Sequence, residues 1–313
     1  FPYTRARVWQ YNVNISLLDI SKRVTIMISF PRMAVVEQKF PRPRADAIDK
    51  RVWKYLGDNA IPDEKLKGKR IAVTVGSRGI ADLDTIVQAL VGRLRERGAE
   101  PFLVPAMGSH GGGVAEEQTK ILADYGVTEA LMGAPVVSSL ETVRLGETED
   151  GLPVYMDRNA YEADGIVLLN RIKPHTDFSG AVESGLLKMM VVGLGKVDGA
   201  RLFHSRTIQH KHDELLLTCG RVILASGKIL GGLAVLENAY HEVAEIKWIP
   251  AARMEEREKG LLKQAKELMP SLPAGYLDLL IVDRIGKNIS GVGMDPNITG
   301  RWYHLNALWQ ETP

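Results

Sequence analysis

The sequence predicts an α/β fold in which a mostly parallel sheet carries flanking helices. Short runs of β-branched and other apolar residues alternate along the chain with amphipathic stretches of helical period, and glycine-containing loops separate them. Hydrophobic residues make up 45% of the 313 residues and charged residues 25%, which is typical of a globular protein with room for two domains. We expect an N-terminal α/β domain over residues 33–250, a connecting helix over 251–272 and the start of a second, incomplete α/β domain over 273–313. Residues 1–32 have no clear period and remain an unassigned extension.

Each predicted strand is a short apolar run that ends in a loop. In chain order, the predicted strands are Arg70–Val75, Phe102–Pro105, Gly165–Leu169, Leu230–Leu236, Val243–Ile249 and, in the second domain, Leu277–Val282. Helices are predicted from Asp82 or Asp84, as the capping residue, to Gly98, over Val114–Tyr125 and over Ala251–Leu268. Because strands and helices alternate, the strands are expected to pair in parallel beneath helices on both faces.

Composition excludes several classes of protein. A formal net charge of +2 gives no electrostatic basis for binding nucleic acid. The single cysteine, Cys219, excludes a disulfide framework and a cysteine-rich zinc site. No run approaches the ~18 apolar residues of a membrane-spanning helix, and the first residues lack the pattern of a secretion signal. We therefore expect a cytoplasmic protein without membrane or nucleic-acid partners.

Three reactive side chains follow predicted strands directly: Arg78, His110 and His175. In open parallel sheets, ligands bind outside the carboxyl ends of the strands, so these loops are expected to converge on one crevice. Glycines beside Arg78 and His110 let the backbone approach a ligand closely. Taken singly, a loop arginine is more often a solvated charge and a lone histidine more often a packing or capping residue. Their joint placement favours the functional interpretation.

Lys188 is a further candidate, because it lies in the apolar run Ser184–Val192. A desolvated lysine has a lowered pKa and can act as a nucleophile toward a carbonyl or acyl group. The alternative is a lysine that extends its amine to solvent from a helix end. The nearby Gly193-Leu194-Gly195-Lys196 does not form a phosphate-binding signature, since Val197 stands where serine or threonine is needed.

One segment of the chain resembles a known family. The series His175-Thr176-Asp177-Phe178-Ser179-Gly180, then Lys188, then His204 is similar to the central signature of the nickel-pincer-nucleotide-dependent lactate racemases. His204 follows Lys188 by 16 positions, which matches the spacing of that family. Gly108-Ser109-His110 and Arg78 resemble two of its earlier elements. The resemblance extends over roughly residues 35–301.

The resemblance implies a 2-hydroxyacid racemase or epimerase, in which Lys188 binds the pincer nucleotide covalently and His204 ligates nickel. His110 and His175 would be the catalytic bases on opposite faces of the substrate. The resemblance also implies that Ser179 and Gly180 bind the cofactor and that Arg78 and Lys287 bind the substrate. The implied partners are a small 2-hydroxy acid and the cofactor-biosynthesis proteins that load the enzyme.

The sequence also departs from the family pattern. The loop between His175 and Lys188 is longer than in lactate racemase and carries Ala181-Val182-Glu183 where a second glycine is usual. Val75 occupies the position where an aspartate usually precedes the arginine. We expect a divergent branch with a different acid as substrate, and a chain that is truncated at its C-terminus. The alternatives are an inactive remnant that binds cofactor without catalysis, or an unrelated α/β dehydrogenase or hydrolase that uses a loop histidine as base.

Overall fold

The computed structural model describes the following residues: 14–17, 24–27, 34–57, 60–207, 210–286, 289–290 and 293–300. The chain divides into two compact units, Phe1–Phe40 and Pro41–Pro313. In the first unit, strands β1 (Asn14–Leu17) and β2 (Val24–Met27) pair as an antiparallel hairpin. The domain boundaries expected from the sequence stay a prediction.

The second unit is built on a five-stranded sheet, and the predicted α/β class is confirmed. Its strands are β3 (Arg70–Val75), β4 (Glu100–Pro105), β7 (Gly165–Arg171), β8 (Ile229–Glu237) and β9 (Val243–Pro250). They lie in the order β4-β3-β7-β8-β9. The first four are parallel, and β9 pairs antiparallel with β8 at one edge. All five match the predicted strands to within two residues at each end.

Alternate residues of the strands face two separate hydrophobic clusters, so both faces of the sheet are covered. Ile71 and Val73 of β3 belong to one cluster, whereas Ala72 between them belongs to the other. A strand that is buried on both faces must be apolar throughout, which is why these runs could be recognised without alternation. The two clusters together form the core.

Several helices pack around the sheet. They include α1 (Ile48–Tyr55), α2 (Leu83–Glu96), α3 (Ala115–Asp124), α4 (Glu129–Met132), α5 (Arg158–Glu162), α9 (Met254–Glu267) and α10 (Pro296–Thr299). Those nearest the crevice are α6 (Leu186–Lys188), α7 (Lys196–Arg206) and α8 (His212–Ala225), with a π-helical turn at Met189–Gly193 between α6 and α7. Within the described part of the chain, no helix is both long and apolar enough to cross a membrane.

Three details differ from the sequence-based expectation. Strands β5 (Thr142–Glu147) and β6 (Pro153–Asp157) form an antiparallel hairpin that was not predicted. Asp82 stands at the N-cap position of α2, but no side chain makes the capping hydrogen bond there. The prediction of a strand at Leu277–Val282 is wrong: the segment is irregular and its side chains are exposed. A strand needs a neighbour for its N–H and C=O groups, and none of the described residues provides one there.

Candidate functional site

The predicted crevice lies at the carboxyl ends of β3, β4 and β7. Because the three strands are parallel, they end at the same edge of the sheet, and Val75 at the end of β3 pairs with Pro105 at the end of β4. The loops that follow these strands hold Arg78, His110 and His175. The structure therefore places all three predicted residues at one edge of the sheet.

His110 is held by both its ring and its backbone. Its Nδ1 makes a short hydrogen bond with the Ser77 hydroxyl, which joins the loop after β4 to the loop after β3. The buried side chain of Gln118 donates to the carbonyl oxygens of Gly108 at 2.9 Å and of His110 at 3.0 Å. Gly108 has φ 58°, and a Cβ there would lie 3.1 Å from the Val192 carbonyl oxygen. The glycine-rich loop is thus anchored, and the His110 side chain remains exposed.

His175 is held from three directions. Its backbone N–H donates to the Glu183 carboxylate at 2.6 Å, and its carbonyl accepts from the Asn297 amide at 2.8 Å. The backbone N–H of Asp177 donates to its Nδ1 at 3.1 Å, which assigns the proton of the neutral ring to Nε2. Burial lowers the pKa of His175 to about 2, with smaller contributions from the nearby cations, the first of which is Lys188. The imidazole is therefore neutral at physiological pH.

Glu183 organises the loop between His175 and Lys188, a role that no pattern in the sequence indicates. Its carboxylate is buried and accepts from the N–H groups of His175 and Gly180, the second at 3.2 Å. Lys266 of α9 forms an ion pair with the same carboxylate at 2.7 Å. The Ser179 hydroxyl and the Gly180 N–H both donate to this carboxylate, so both residues help to anchor the loop. Their proposed part in cofactor binding stays a prediction.

Lys188 ends α6, directly before the π-helical turn. Burial lowers the pKa of its amine to about 8, and the Lys173 ammonium contributes next. The side chain is nevertheless partly accessible, and its Nζ lies 6.0 Å from the centre of the Phe178 ring. Beneath it, the buried carboxylate of Glu258 accepts from the Leu187 N–H at 3.0 Å. An amine that is largely desolvated, reachable and half deprotonated near pH 8 is suited to act as a nucleophile.

A stack of rings joins the loop after β7 to α8. Phe178 lies between His175 and His212, with ring centres 4.4 Å and 4.3 Å away. Phe203 of α7 contacts both His212 and His204 edge-on. Burial, followed by the Lys188 ammonium, lowers the pKa of His204, although one side of the residue is open to solvent. His204 and Lys188 therefore lie within electrostatic reach of each other in one crevice.

The crevice carries positive charge. Arg78 and Lys173 both lower the pKa of Lys188, which places the three cations within electrostatic reach of one another. Lys287, the remaining predicted site residue, lies outside the described residues. No group of three or more histidine, cysteine or acidic side chains suited to holding a metal occurs among the residues that the structure describes.

Lys196 confirms that the glycine-rich run before α7 is not a phosphate loop. Its side chain is completely buried and donates to the Pro105 carbonyl oxygen at 2.5 Å, and it forms an ion pair with the buried Asp157 at 3.1 Å. The lysine therefore points into the protein, where it connects the start of α7 to the end of β4. It is not available to an external phosphate.

The comparisons with known proteins agree with this arrangement. A family model described as "Lactate racemase N-terminal domain" matches residues 23–215. The structure is also similar to that of the lactate racemase apoprotein from Thermoanaerobacterium thermosaccharolyticum, with a TM-score of 0.53 and 15% sequence identity, over 80% of this chain and 62% of that one. At this identity the likeness shows the fold, and the chain spans under two thirds of the length of that racemase. The search of curated proteins gave no match.

Proposed function

Because the chain belongs to the family of the lactate racemase N-terminal domain, we propose that it racemises or epimerises a 2-hydroxy acid with a nickel-pincer nucleotide. One observation supports this most: the desolvated amine of Lys188 shares its crevice with the imidazoles of His175 and His204, around Phe178. A covalent anchor, a ligand and a proton-transfer group are thereby available together.

The donor set of the crevice fits such a cofactor. A metal held by protein alone needs several side chains, and the described residues offer no such group. The accessible ring of His204 would supply the protein's ligand to a nickel ion that is otherwise held by its organic cofactor. Lys188 would form the covalent link through its unprotonated amine. The chemistry that this cofactor supplies when bound is reversible acceptance of hydride from the α-carbon of the acid.

The protein itself provides proton transfer and orientation. His110 and His175 would each exchange the 2-hydroxyl proton of one enantiomer, since they come from different loops at the edge of the sheet. Arg78 would bind the substrate carboxylate, as a guanidinium can do with two hydrogen bonds. Together these residues would hold the planar 2-keto acid while it presents either face.

His175 would begin the reaction as a hydrogen-bond donor. Its Nδ1 accepts from the Asp177 N–H, so in the neutral ring Nε2 carries the proton. To take a proton from the substrate, Nε2 must be free, which requires the other tautomer and loss of the Asp177 hydrogen bond. Such a bond contributes ~0.5–1.5 kcal/mol, about a factor of ten or less in rate. The hydrogen bond alone thus does not prevent a role as a base. Burial and the Lys188 ammonium, which lower the pKa of His175 to about 2, oppose that role more strongly, and covalent use of the Lys188 amine would remove one of these charges.

Two variants test the proposal. The chain is produced together with cofactor-biosynthesis proteins, and intact mass and nickel content are measured. We expect an added mass on the unmodified chain that is absent from Lys188→Ala, and nickel near one per chain that is lost from His204→Ala while the organic adduct stays. Lys120→Ala, an exposed lysine of α3, is the matched control. An adduct on the Lys188→Ala protein would contradict the assignment.

The activity is measured on the same loaded protein. Each pure enantiomer of several 2-hydroxy acids is supplied, and appearance of the other enantiomer is followed. Racemisation supports the proposed function. A protein that carries adduct and nickel but converts none of these acids would instead support the alternative of a family member that binds cofactor without catalysis.

A further inference from the structure

Ser77 is a polar residue of the crevice for which the proposed function has no role. It lies in the loop that follows β3, directly before Arg78. Its hydroxyl is hydrogen-bonded to Nδ1 of His110, which stands 33 positions further along the chain in the loop that follows β4. Because β3 and β4 are parallel neighbours, the two loops leave the sheet side by side, and the contact between Ser77 and His110 joins them.

One helix holds the backbone of both loops. The buried amide of Gln118, in α3, donates to two carbonyl oxygens of the His110 loop, one of which is that of His110 itself. The hydroxyl of Tyr125, at the C-cap of α3, donates to the Ser77 carbonyl oxygen at 3.1 Å. Gln118 and Tyr125 are seven positions apart and therefore lie on the same face of the helix. The backbones of Ser77 and His110 thus share one support.

The loop that carries Ser77 is fixed at a second point as well. The Ala81 N–H donates at 2.8 Å to the largely buried carboxylate of Glu237, which ends β8. Between these points Gly79 lies against the Tyr125 ring, and a Cβ at position 79 would be 3.3 Å from a ring carbon. Since the backbone is held at Ser77 and at Ala81, the hydroxyl that meets His110 has a fixed position.

The two proposed bases differ in the partner of their Nδ1 atoms. For His175 the partner is the backbone N–H of Asp177, which can only donate, so the neutral ring carries its proton on Nε2. For His110 the partner is a hydroxyl, which can accept a hydrogen bond as well as donate one. A hydroxyl that accepts leaves the proton of the neutral ring on Nδ1 and the lone pair on Nε2. The chain thus offers His110 the tautomer of a base, whereas the backbone opposes that tautomer in His175.

We propose that Ser77 is a positioning residue for His110: its hydroxyl accepts a hydrogen bond from Nδ1–H of the neutral ring and so keeps the lone pair on Nε2 for the 2-hydroxyl proton of the substrate. When that proton is transferred, Nε2 gains it and Nδ1 keeps its own, so no change of tautomer is needed. The hydrogen bond to Ser77 becomes stronger at this point, because the ring is then a cation. The catalytic part of this inference rests on the proposed function, whereas the tautomer of His110 does not.

The tautomer is measured by NMR on the full chain without cofactor. Long-range proton–nitrogen correlation spectra of protein with isotope-labelled histidine distinguish a protonated ring nitrogen from an unprotonated one. They are recorded above the pH at which the ring signals stop shifting, and the His110 signals are identified by their absence from His110→Gln. We expect the neutral His110 ring to carry its proton on Nδ1 in the unmodified chain and to lose this preference in Ser77→Ala.

Two further variants control this measurement. Ser77→Thr keeps a hydroxyl and should keep the proton on Nδ1. Ser226→Ala is the matched control, since it removes the same group from an exposed serine between α8 and β8, at the opposite end of the sheet. It should leave the His110 tautomer unchanged. An unprotonated Nδ1 in the unmodified chain, or an unchanged Nδ1–H form in Ser77→Ala, overturns the proposal.

A second measurement follows single turnovers of the loaded protein with each pure enantiomer at saturating substrate. Ser77→Ala should slow only the enantiomer that His110→Ala also slows, by about twofold to tenfold, because one hydrogen bond to the base is lost. The substrate concentration for half-saturation should not change, and Ser77→Thr should stay within about twofold of the unmodified chain. Equal slowing of both enantiomers in Ser77→Ala would show a general structural effect and would overturn the proposed role.

The two measurements separate this inference from the proposed function. If the unmodified loaded chain converts no 2-hydroxy acid, the proposed function fails, and the spectra still decide whether Ser77 holds the His110 proton on Nδ1. If racemisation occurs and Nδ1 of His110 is unprotonated, the proposed function stands and the role of Ser77 is refuted.

Discussion

The buried carboxylate of Glu258 lies beneath the helix that carries Lys188, and its ionisation should weaken the fold. Glu258 is 1% exposed, and one of its oxygens accepts a hydrogen bond from the Leu187 N–H at 3.0 Å. The other oxygen is buried and has no hydrogen-bond partner among the described residues. Burial raises the pKa of Glu258 from 4.5 to about 7, against the lowering effect of the Leu187 and Leu186 N–H groups. The protonated form is therefore favoured in the folded state.

The sign of the pH dependence follows from the two pKa values. Between pH 4.5 and about 7, the folded state keeps the Glu258 proton whereas the unfolded state has lost it. The free energy of unfolding should therefore fall as the pH rises through this window. The difference between the two pKa values corresponds to about 3 kcal/mol, an upper figure for a group that can relax on ionisation.

Glu258→Gln removes this titration but keeps the size of the side chain and an oxygen acceptor for the Leu187 N–H. Urea unfolding at pH 5, 6, 7 and 8 should show the variant gaining up to about 3 kcal/mol relative to the unmodified chain as the pH rises. Glu255→Gln on the same helix is the control, because its pKa is lowered by hydrogen bonds from Arg221 and Lys259. That variant should lose at most about 1 kcal/mol, by nearly the same amount at every pH from 5 to 8, because the lowered pKa of Glu255 lies below this range. Parallel pH profiles for Glu258→Gln and the unmodified chain would refute the reasoning.

The other predictions concern the residues around the crevice. Gly185→Ala should lower stability by roughly 1–3 kcal/mol in urea unfolding, because a Cβ there would lie 2.2 Å from the buried carboxylate oxygen below it; an unchanged midpoint would contradict the packing. Gln118→Met should cost about 1–3 kcal/mol, since two carbonyls of the His110 loop lose their buried donor. Competitive acetylation of Lys188 should have its midpoint near pH 8, and a midpoint near 10 would show a solvated amine. In single-turnover reactions of the loaded protein, His110→Ala and His175→Ala should each slow a different enantiomer by ~10²–10⁴, whereas equal losses would refute the assignment to opposite faces.

The sheet was predictable because its strands are buried on both faces. Runs such as Arg70–Val75 and Gly165–Leu169 are apolar at every position that the core covers except Thr74, whose hydroxyl accepts from the Leu169 N–H, so their composition identifies them as strands. The hairpin β5–β6 was not predictable in this way, since β5 is only partly buried and its sequence mixes polar and apolar residues. Leu277–Val282 shows the converse error: an apolar run predicts a strand only when another strand is available to pair with it.

The reactive side chains of the crevice were predictable from their place in the sequence, because each follows a strand within a few residues. Their supports were not, because the supporting contacts connect distant parts of the chain. Glu258 reaches a backbone N–H 71 positions away, and Lys266 meets Glu183 from the same helix. No local pattern marks such a residue. A buried carboxylate in a charged helix has the same sequence signature as a solvated one.

The loop between His175 and Lys188 shows how one buried carboxylate can hold a loop in place. The loop brings backbone N–H groups into a partly buried place, and each needs an acceptor. Glycine at position 183 would supply none, whereas the Glu183 carboxylate accepts from the N–H groups of His175 and Gly180. Lys266 balances its charge from α9. The glutamate thus fixes the backbone of a proposed catalytic residue, and it positions His175 by hydrogen bonds that a glycine could not form.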